Sequence, residues 1–193
     1  LLTDPLLSGR VAHLRRMAGP LPALPGPPDA VLLSHLHADH FHLASLRALG
    51  GAPLLIMPRG AAGFTARSLG PGFARRCIEV SPGDEVVLGD VKVRAVPAAH
   101  DGGRGPWSRE RALAIGYLVE GASHTWFAGD TGLFDEMSDL APVDLALVPV
   151  GGWGPTLGSH HHLDAAAGVE ALRRVKAAWS VPVHYGTFWP AGM

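Results

Sequence analysis

Lysine and cysteine are nearly missing from this chain of 193 residues: two lysines, Lys92 and Lys176, stand against fourteen arginines, and Cys77 is the one cysteine. A single cysteine excludes an internal disulfide and a cysteine-based zinc cluster. Followed by Ile78-Glu79-Val80, it reads as an inert thiol on a strand rather than a nucleophile. Charge is scarce as well, at 17% of residues with a net charge of −1, so there is no broad positive field to hold a nucleic-acid backbone. The pairs Arg15-Arg16, Arg75-Arg76 and Arg173-Arg174 read as solvated element ends. No apolar run approaches the roughly 20 residues of a membrane-spanning helix. Neither a Gly-x-Ser-x-Gly nucleophile turn nor a glycine-rich phosphate turn after the first strand occurs, which argues against a serine hydrolase and a dinucleotide fold. What is plentiful is apolar surface, 47% of residues, and histidine, eleven residues. The first excludes a disordered chain and the length suits one domain, residues 1–193, with a cytoplasmic location as the default expectation.

Hydrophobic patterning orders the chain. Residues 1–28 open apolar and then carry five prolines from Pro20 to Pro28, an irregular lead-in. Ala30-Val31-Leu32-Leu33 is a short continuous apolar run, the pattern of a strand buried on both faces. A short helix over 43–49, a strand over 54–57 and a helix over 60–69 follow, giving two β-then-α units. From Cys77 the period changes to strands at 78–80, 85–88, 91–96, 112–119 and 125–128, read together as a meander with turns at Pro82-Gly83-Asp84, Gly89-Asp90 and Gly121. A buried strand over 144–150, a helix over 164–176 capped by Asp164, and a strand over 180–184 complete the pattern. A layered α+β sandwich fits it better than a doubly wound sheet.

The chemistry concentrates in His35-x-His37-x-Asp39-His40, directly after the first buried strand. Imidazole nitrogen and carboxylate oxygen at this spacing suit one or two borderline divalent cations. Three histidines and an aspartate within six residues would be costly to desolvate as mere core or loop polars. His100, Asp130 and His184 each end an expected strand, where side chains can converge on one edge. His13, His42 and His124 are assigned to structure or surface, and His160 and His161 to a polar loop.

With these motifs in order, the chain resembles the metallo-β-lactamase superfamily over nearly its whole length. Phe127-Ala128-Gly129-Asp130-Thr131-Gly132, the segment from Asp144 to Gly151, and His184-Tyr185-Gly186-Thr187-Phe188 are similar to the branch containing N-acylphosphatidylethanolamine phospholipase D and the ascorbate-6-phosphate lactonases. The resemblance implies a four-layer αββα sandwich. Family members carry strands before the position of Leu1 and a helix after that of Met193. It therefore implies a fold short of its first strands and last helix, with a sheet edge open to homo-oligomeric pairing. It implies two divalent ions: His35, His37 and His100 for one, Asp39, His40 and His184 for the other, and Asp130 bridging. Zinc is the expected metal, with manganese or iron as alternatives. Tyr185 stands where the branch most often has Trp, and Ala165 where it has Pro; neither change removes a ligand.

Two such ions would bracket a bridging hydroxide and polarise an electrophilic oxygen. Asp39 is then the candidate proton carrier, and His162, which matches the branch's active-site His before the last helix, the second catalytic candidate. Arg104, Trp107 and Trp153, on the two long loops, are the candidate substrate contacts for an anionic head on an apolar body. The expectation is a hydrolase of a small ester-like molecule, phosphodiester ahead of lactone. The competing reading is a non-catalytic metal-binding or sensor domain that retains the ligands.

Overall fold

Apolar runs without alternation become strands buried on both faces: Ala30, Val31 and Leu32 are each 0% exposed. The computed structural model describes residues 1–152 and 161–190; Trp153 and His160 lie outside the described residues. In chain order the strands are β1 (Leu2–Thr3), β2 (Arg10–Val11), β3 (Leu14–Arg16), β4 (Ala30–Leu32), β5 (Leu54–Pro58), β6 (Cys77–Val80), β7 (Glu85–Leu88), β8 (Val91–Pro97), β9 (Ile115–Glu120), β10 (His124–Phe127), β11 (Leu145–Pro149), β12 (Trp179–Val183) and β13 (Phe188–Pro190). The helices are α1 (Leu43–Ala48), α2 (Ala61–Leu69), α3 (Pro71–Ala74) and α4 (Ala165–Arg174), with a 3₁₀ helix over Asp135–Leu140. None of the described helices is long and apolar enough to cross a membrane.

Contacts divide the chain into two compact units. The first takes Leu1–Val80, Gly102–Leu113 and the described residues from Gly186. Its parallel sheet runs β1-β4-β5-β6, with Val31 opposite Leu55 and Ile56 opposite Ile78. Helices α1 and α2 return the chain between parallel neighbours, and Leu33, Leu36, Phe41, Leu46, Met57 and Phe64 pack between helices and sheet. The sequence pattern assigned Cys77–Val80 to the meander; the structure pairs it with β5 instead, because the α2–α3 crossover brings it back parallel. Pro71, expected as a stop signal, sits in the first turn of α3, where its missing N–H costs nothing. The lead-in is not irregular throughout: β2 and β3 form a hairpin whose outer side pairs with β13, Arg16 opposite Phe188.

The second unit takes Ser81–Asp101 and the described residues of Ala114–Tyr185. Its six-stranded sheet runs β12-β11-β10-β9-β8-β7. β7 to β10 are antiparallel neighbours, as the turn signals predict, and β10, β11 and β12 are parallel, with α4 crossing between the last two. The expected strand from 112 begins at Ile115. Trp126, Leu118, Met137, Val148, Leu163, Ala171 and Val175 form the core under α4, each large side chain contributing about 1.5–3 kcal/mol by burial. Asp164 caps α4 as expected, its Oδ1 accepting from the Ala167 N–H at 2.8 Å. Gly168 lets the helix approach: a Cβ there would stand 3.0 Å from Val150 Cγ1.

Candidate metal centre

In the first unit, β4 delivers the chain to a turn that gathers four donors. The Leu33 N–H extends the β-pairing to the Ile56 carbonyl, and the Phe41 and His40 N–H groups both bond the His37 carbonyl, at 2.8 and 3.2 Å. His35 is fully buried; its ring lies 4.5 Å from that of His37 and 4.2 Å from that of His40. His35 Nε2 and His37 Nδ1 are 2.8 Å apart. Two ligand atoms on one tetrahedral ion with bonds of about 2.05 Å would stand about 3.3 Å apart, so the pair would part by a few tenths of an ångström to hold one. His40 Nε2 lies 3.7 Å from Asp39 Oδ2.

A residue that sequence reasoning did not single out organises this cluster. Asp4, just after β1, accepts from the Ser34 N–H at 2.8 Å, from the Ser34 hydroxyl, and from His40 Nδ1 at 2.7 Å. Because the Ser34 hydroxyl proton goes to Asp4, its oxygen accepts from His35 Nδ1 at 2.9 Å. The network therefore assigns the proton of both His35 and His40 to Nδ1 and turns both Nε2 lone pairs toward the donor cluster. Ligand atoms of Asp4, His35 and His40 lie within 4.8 Å of one another.

In the second unit the donors arrive from separate strand ends. The Ala99–Gly132 bridge follows β8 and β10, and Thr131 Oγ1 accepts from the Ala99 N–H at 2.9 Å, which fixes His100 and Asp130 against each other. His100 Nε2, His162 Nδ1 and His184 Nε2 stand 4.0, 3.7 and 3.5 Å from the same Asp130 Oδ2. His184 follows β12 with φ +60, in the left-handed region a histidine rarely enters. Gly151 runs against it so closely that a Cβ would lie within 2.0 Å of the His184 carbonyl. The ring of His162, the residue before Leu163 at the head of α4, is edge-on to His100 and stacked on His184. The His161 carbonyl accepts from His100 Nδ1 at 2.8 Å, so a residue expected to be plain loop sets the tautomer of His100. In the neutral ring His100 Nε2 then turns its lone pair toward the carboxylate oxygen 4.0 Å away, with both side chains 2% exposed. Three imidazole nitrogens gathered within 4.0 Å of one buried carboxylate oxygen make a donor set that fits a divalent metal.

The expected substrate contacts fall differently. Arg104 Nη1 donates to the Leu36 and Phe41 carbonyls in the first unit, Trp107 is 96% exposed, and Trp153 lies outside the described residues. His42 is structural as expected: it caps α1 by accepting from the Ser45 N–H. Burial, and then the Arg104 charge, hold its pKa below the usual imidazole value, with Asp39 pulling the other way. His124 Nδ1 bonds the Pro142 carbonyl, also a structural place.

Comparison with known proteins agrees with these motifs. The β-lactamase superfamily domain matches residues 1–185. A UPF0173 metal-dependent hydrolase of Thermoplasma volcanium is 30% identical over 165 residues, covering 83% of this chain and 67% of that protein. An uncharacterized protein of Mycobacterium tuberculosis is 35% identical over 206 residues, 97% of this chain and 54% of its own length. The chain thus spans about two thirds of one relative and about half of the other. Igni18, a metallo hydrolase of Ignicoccus hospitalis, superposes with a TM-score of 0.63 at 22% identity, over 82% of this chain and 64% of that one. The α+β fold is that of these metallo-hydrolases, and the chain belongs to the metallo-β-lactamase superfamily of metal-dependent hydrolases.

Proposed function

We propose that this hydrolase works through two divalent ions, zinc by preference, on a small ester-like substrate, with phosphodiester cleavage ahead of lactone opening. The ligand sets are those the resemblance implies: His35, His37 and His100; Asp39, His40 and His184; and Asp130 shared. The observation that carries the metal reading is the convergence of His100 Nε2, His162 Nδ1 and His184 Nε2 on the buried Asp130 Oδ2, at 4.0, 3.7 and 3.5 Å. When bound, the ions supply an activated water and Lewis-acid polarisation of a substrate oxygen.

The chain's own groups supply the rest. Asp39, with 35% of its side chain exposed, is open enough to exchange a proton with solvent while flanked by His40, and takes the role of passing it to the leaving group. His162 is held between His100 and His184 with 11% of its side chain exposed, and takes the role of donating a hydrogen bond to charge developing on the substrate. No activated serine or cysteine is required: Cys77 is half-buried and burial pushes its thiol pKa up. Metal analysis together with turnover of bis(p-nitrophenyl) phosphate and a lactone panel tests the reading. Two equivalents of zinc with phosphodiester turnover is the expected result. Lactone opening alone moves the substrate class, and full occupancy with no turnover on either overturns the catalytic reading.

A further inference from the structure

We infer that Arg104 is a positioning residue for the metal-binding turn, fastening its two ends together rather than holding substrate. The inference rests on the metal reading above. One guanidinium nitrogen, Nη1, donates to the Leu36 carbonyl at 2.9 Å and to the Phe41 carbonyl at 2.8 Å. These two carbonyls bracket His37, Asp39 and His40, so a single nitrogen closes the segment that carries three of the turn's four donors. Both hydrogens of Nη1 are thereby committed to backbone, and each bond is charge-assisted.

The guanidinium also meets an aromatic ring. Its Cζ lies 5.0 Å from the centre of the Phe64 ring, a cation–π contact, and Phe64 in turn packs edge-on against Phe41 at 5.4 Å. Arg104 thus holds Phe41 twice, by its carbonyl directly and by its ring through Phe64. The segment bearing Arg104 is tied to the same turn by its backbone: the Gly102 carbonyl accepts from the Leu36 N–H at 3.1 Å. It is anchored at its far side where the Arg104 N–H bonds the Glu110 carbonyl, and the Glu110 carboxylate pairs with Arg67.

Arginine is the residue this task requires. Its charge persists across the working pH range, and its delocalised cation can donate to carbonyls while lying over an aromatic ring. A lysine ammonium could reach both carbonyls but has no planar face for Phe64. Burial lowers the guanidinium pKa, and the nearby Asp39 carboxylate offsets that in part.

The test compares wild type, Arg104→Gln and Arg104→Lys in the full chain. Zinc affinity is read by competition with a chromophoric chelator, the visible absorption of the cobalt(II)-loaded protein reports ligand geometry, and kcat and KM are measured at saturating metal. Arg104→Gln is expected to weaken zinc binding about 10–100-fold and to alter the cobalt(II) spectrum, lowering kcat more than it raises KM. Arg104→Lys is expected to fall between the two in affinity, and it carries the test alone should Arg104→Gln fail to fold. Wild-type zinc affinity and an unchanged cobalt(II) spectrum in the variants, with a raised KM, would overturn the inference and return Arg104 to substrate binding. A wild-type protein that takes up no zinc or cobalt overturns the metal reading itself, and this inference with it.

Discussion

The two donor clusters are built by opposite means. In the first unit His35, His37, Asp39 and His40 come from one turn, and what sets their protons is a side chain: Asp4 holds the Nδ1 of His40 directly and that of His35 through Ser34. In the second unit His100, Asp130, His162 and His184 come from four separate strand and helix ends, and what sets their geometry is largely backbone. There the His161 carbonyl fixes His100, the Ala99–Gly132 bridge fixes Asp130, and a left-handed residue turns His184. A cluster local in sequence still needs a distant side chain to choose its tautomers. A cluster dispersed in sequence can be placed by the sheet that already exists, at the cost of strain at one residue.

The largest expected effect is at the point where the dispersed cluster converges. Asp130→Asn keeps the shape but removes the charge that three histidine nitrogens face. Ligands that bind only the folded protein stabilise it by about 2.7 kcal/mol at a hundredfold excess over Kd, so zinc should raise the Tm of wild type clearly. Calorimetry with and without zinc should find most of that rise gone in Asp130→Asn, while the chelator-treated variant melts close to chelator-treated wild type. An undiminished zinc-dependent rise would mean that the second cluster does not depend on this carboxylate.

A smaller effect, of a different kind, is expected in the local cluster. Asp4→Asn can keep the bond from the Ser34 N–H to its oxygen but presents an NH₂ group to His40 Nδ1. Donor meets donor there, so His40 must move its proton to Nε2 and lose the lone pair that faces the donors. The expected result is a loss of zinc affinity of about 10–100-fold, with the ¹⁵N shifts of His40 reporting the exchanged tautomer. Equal affinity and an unchanged tautomer would show that the turn, not Asp4, sets the protons. No corresponding side-chain substitution exists for His100, because its partner is a carbonyl.

This contrast also explains what could be read from the sequence. The turn at 35–40 announces itself because its donors are adjacent, and His100, Asp130 and His184 follow from the apolar strands they end. Asp4 was out of reach: it is one aspartate thirty residues upstream of the serine it grips, with no local pattern to mark it. The His161 contribution is a backbone carbonyl, which leaves no trace in residue type. β2, β3 and β13 are two or three residues long and complete one another across most of the chain, too short for any period to register. Cys77–Val80 reads correctly as a strand but joins the other sheet, since a crossover rather than composition decides its neighbour. Arg104 drew attention for its charge, while its hydrogen-bond partners are main-chain atoms more than sixty residues away.

The smallest effect separates the two ends of the loop that carries Arg104. Trp107, three residues on, is 96% exposed, and the chain turns there with the Ser108 N–H bonded to the Gly105 carbonyl. A side chain this exposed buries nothing that Trp107→Ala could lose, so stability should stay within about 0.5 kcal/mol of wild type, and zinc affinity should not move. A ring kept in water suits contact with a bound molecule, and the expected kinetic result is a higher KM with kcat retained, the mark of binding made equally in ground and transition states. Arg104→Gln and Trp107→Ala would then split one loop into a half that shapes the metal turn and a half that meets substrate. An unchanged KM in Trp107→Ala would leave the loop with the first task alone.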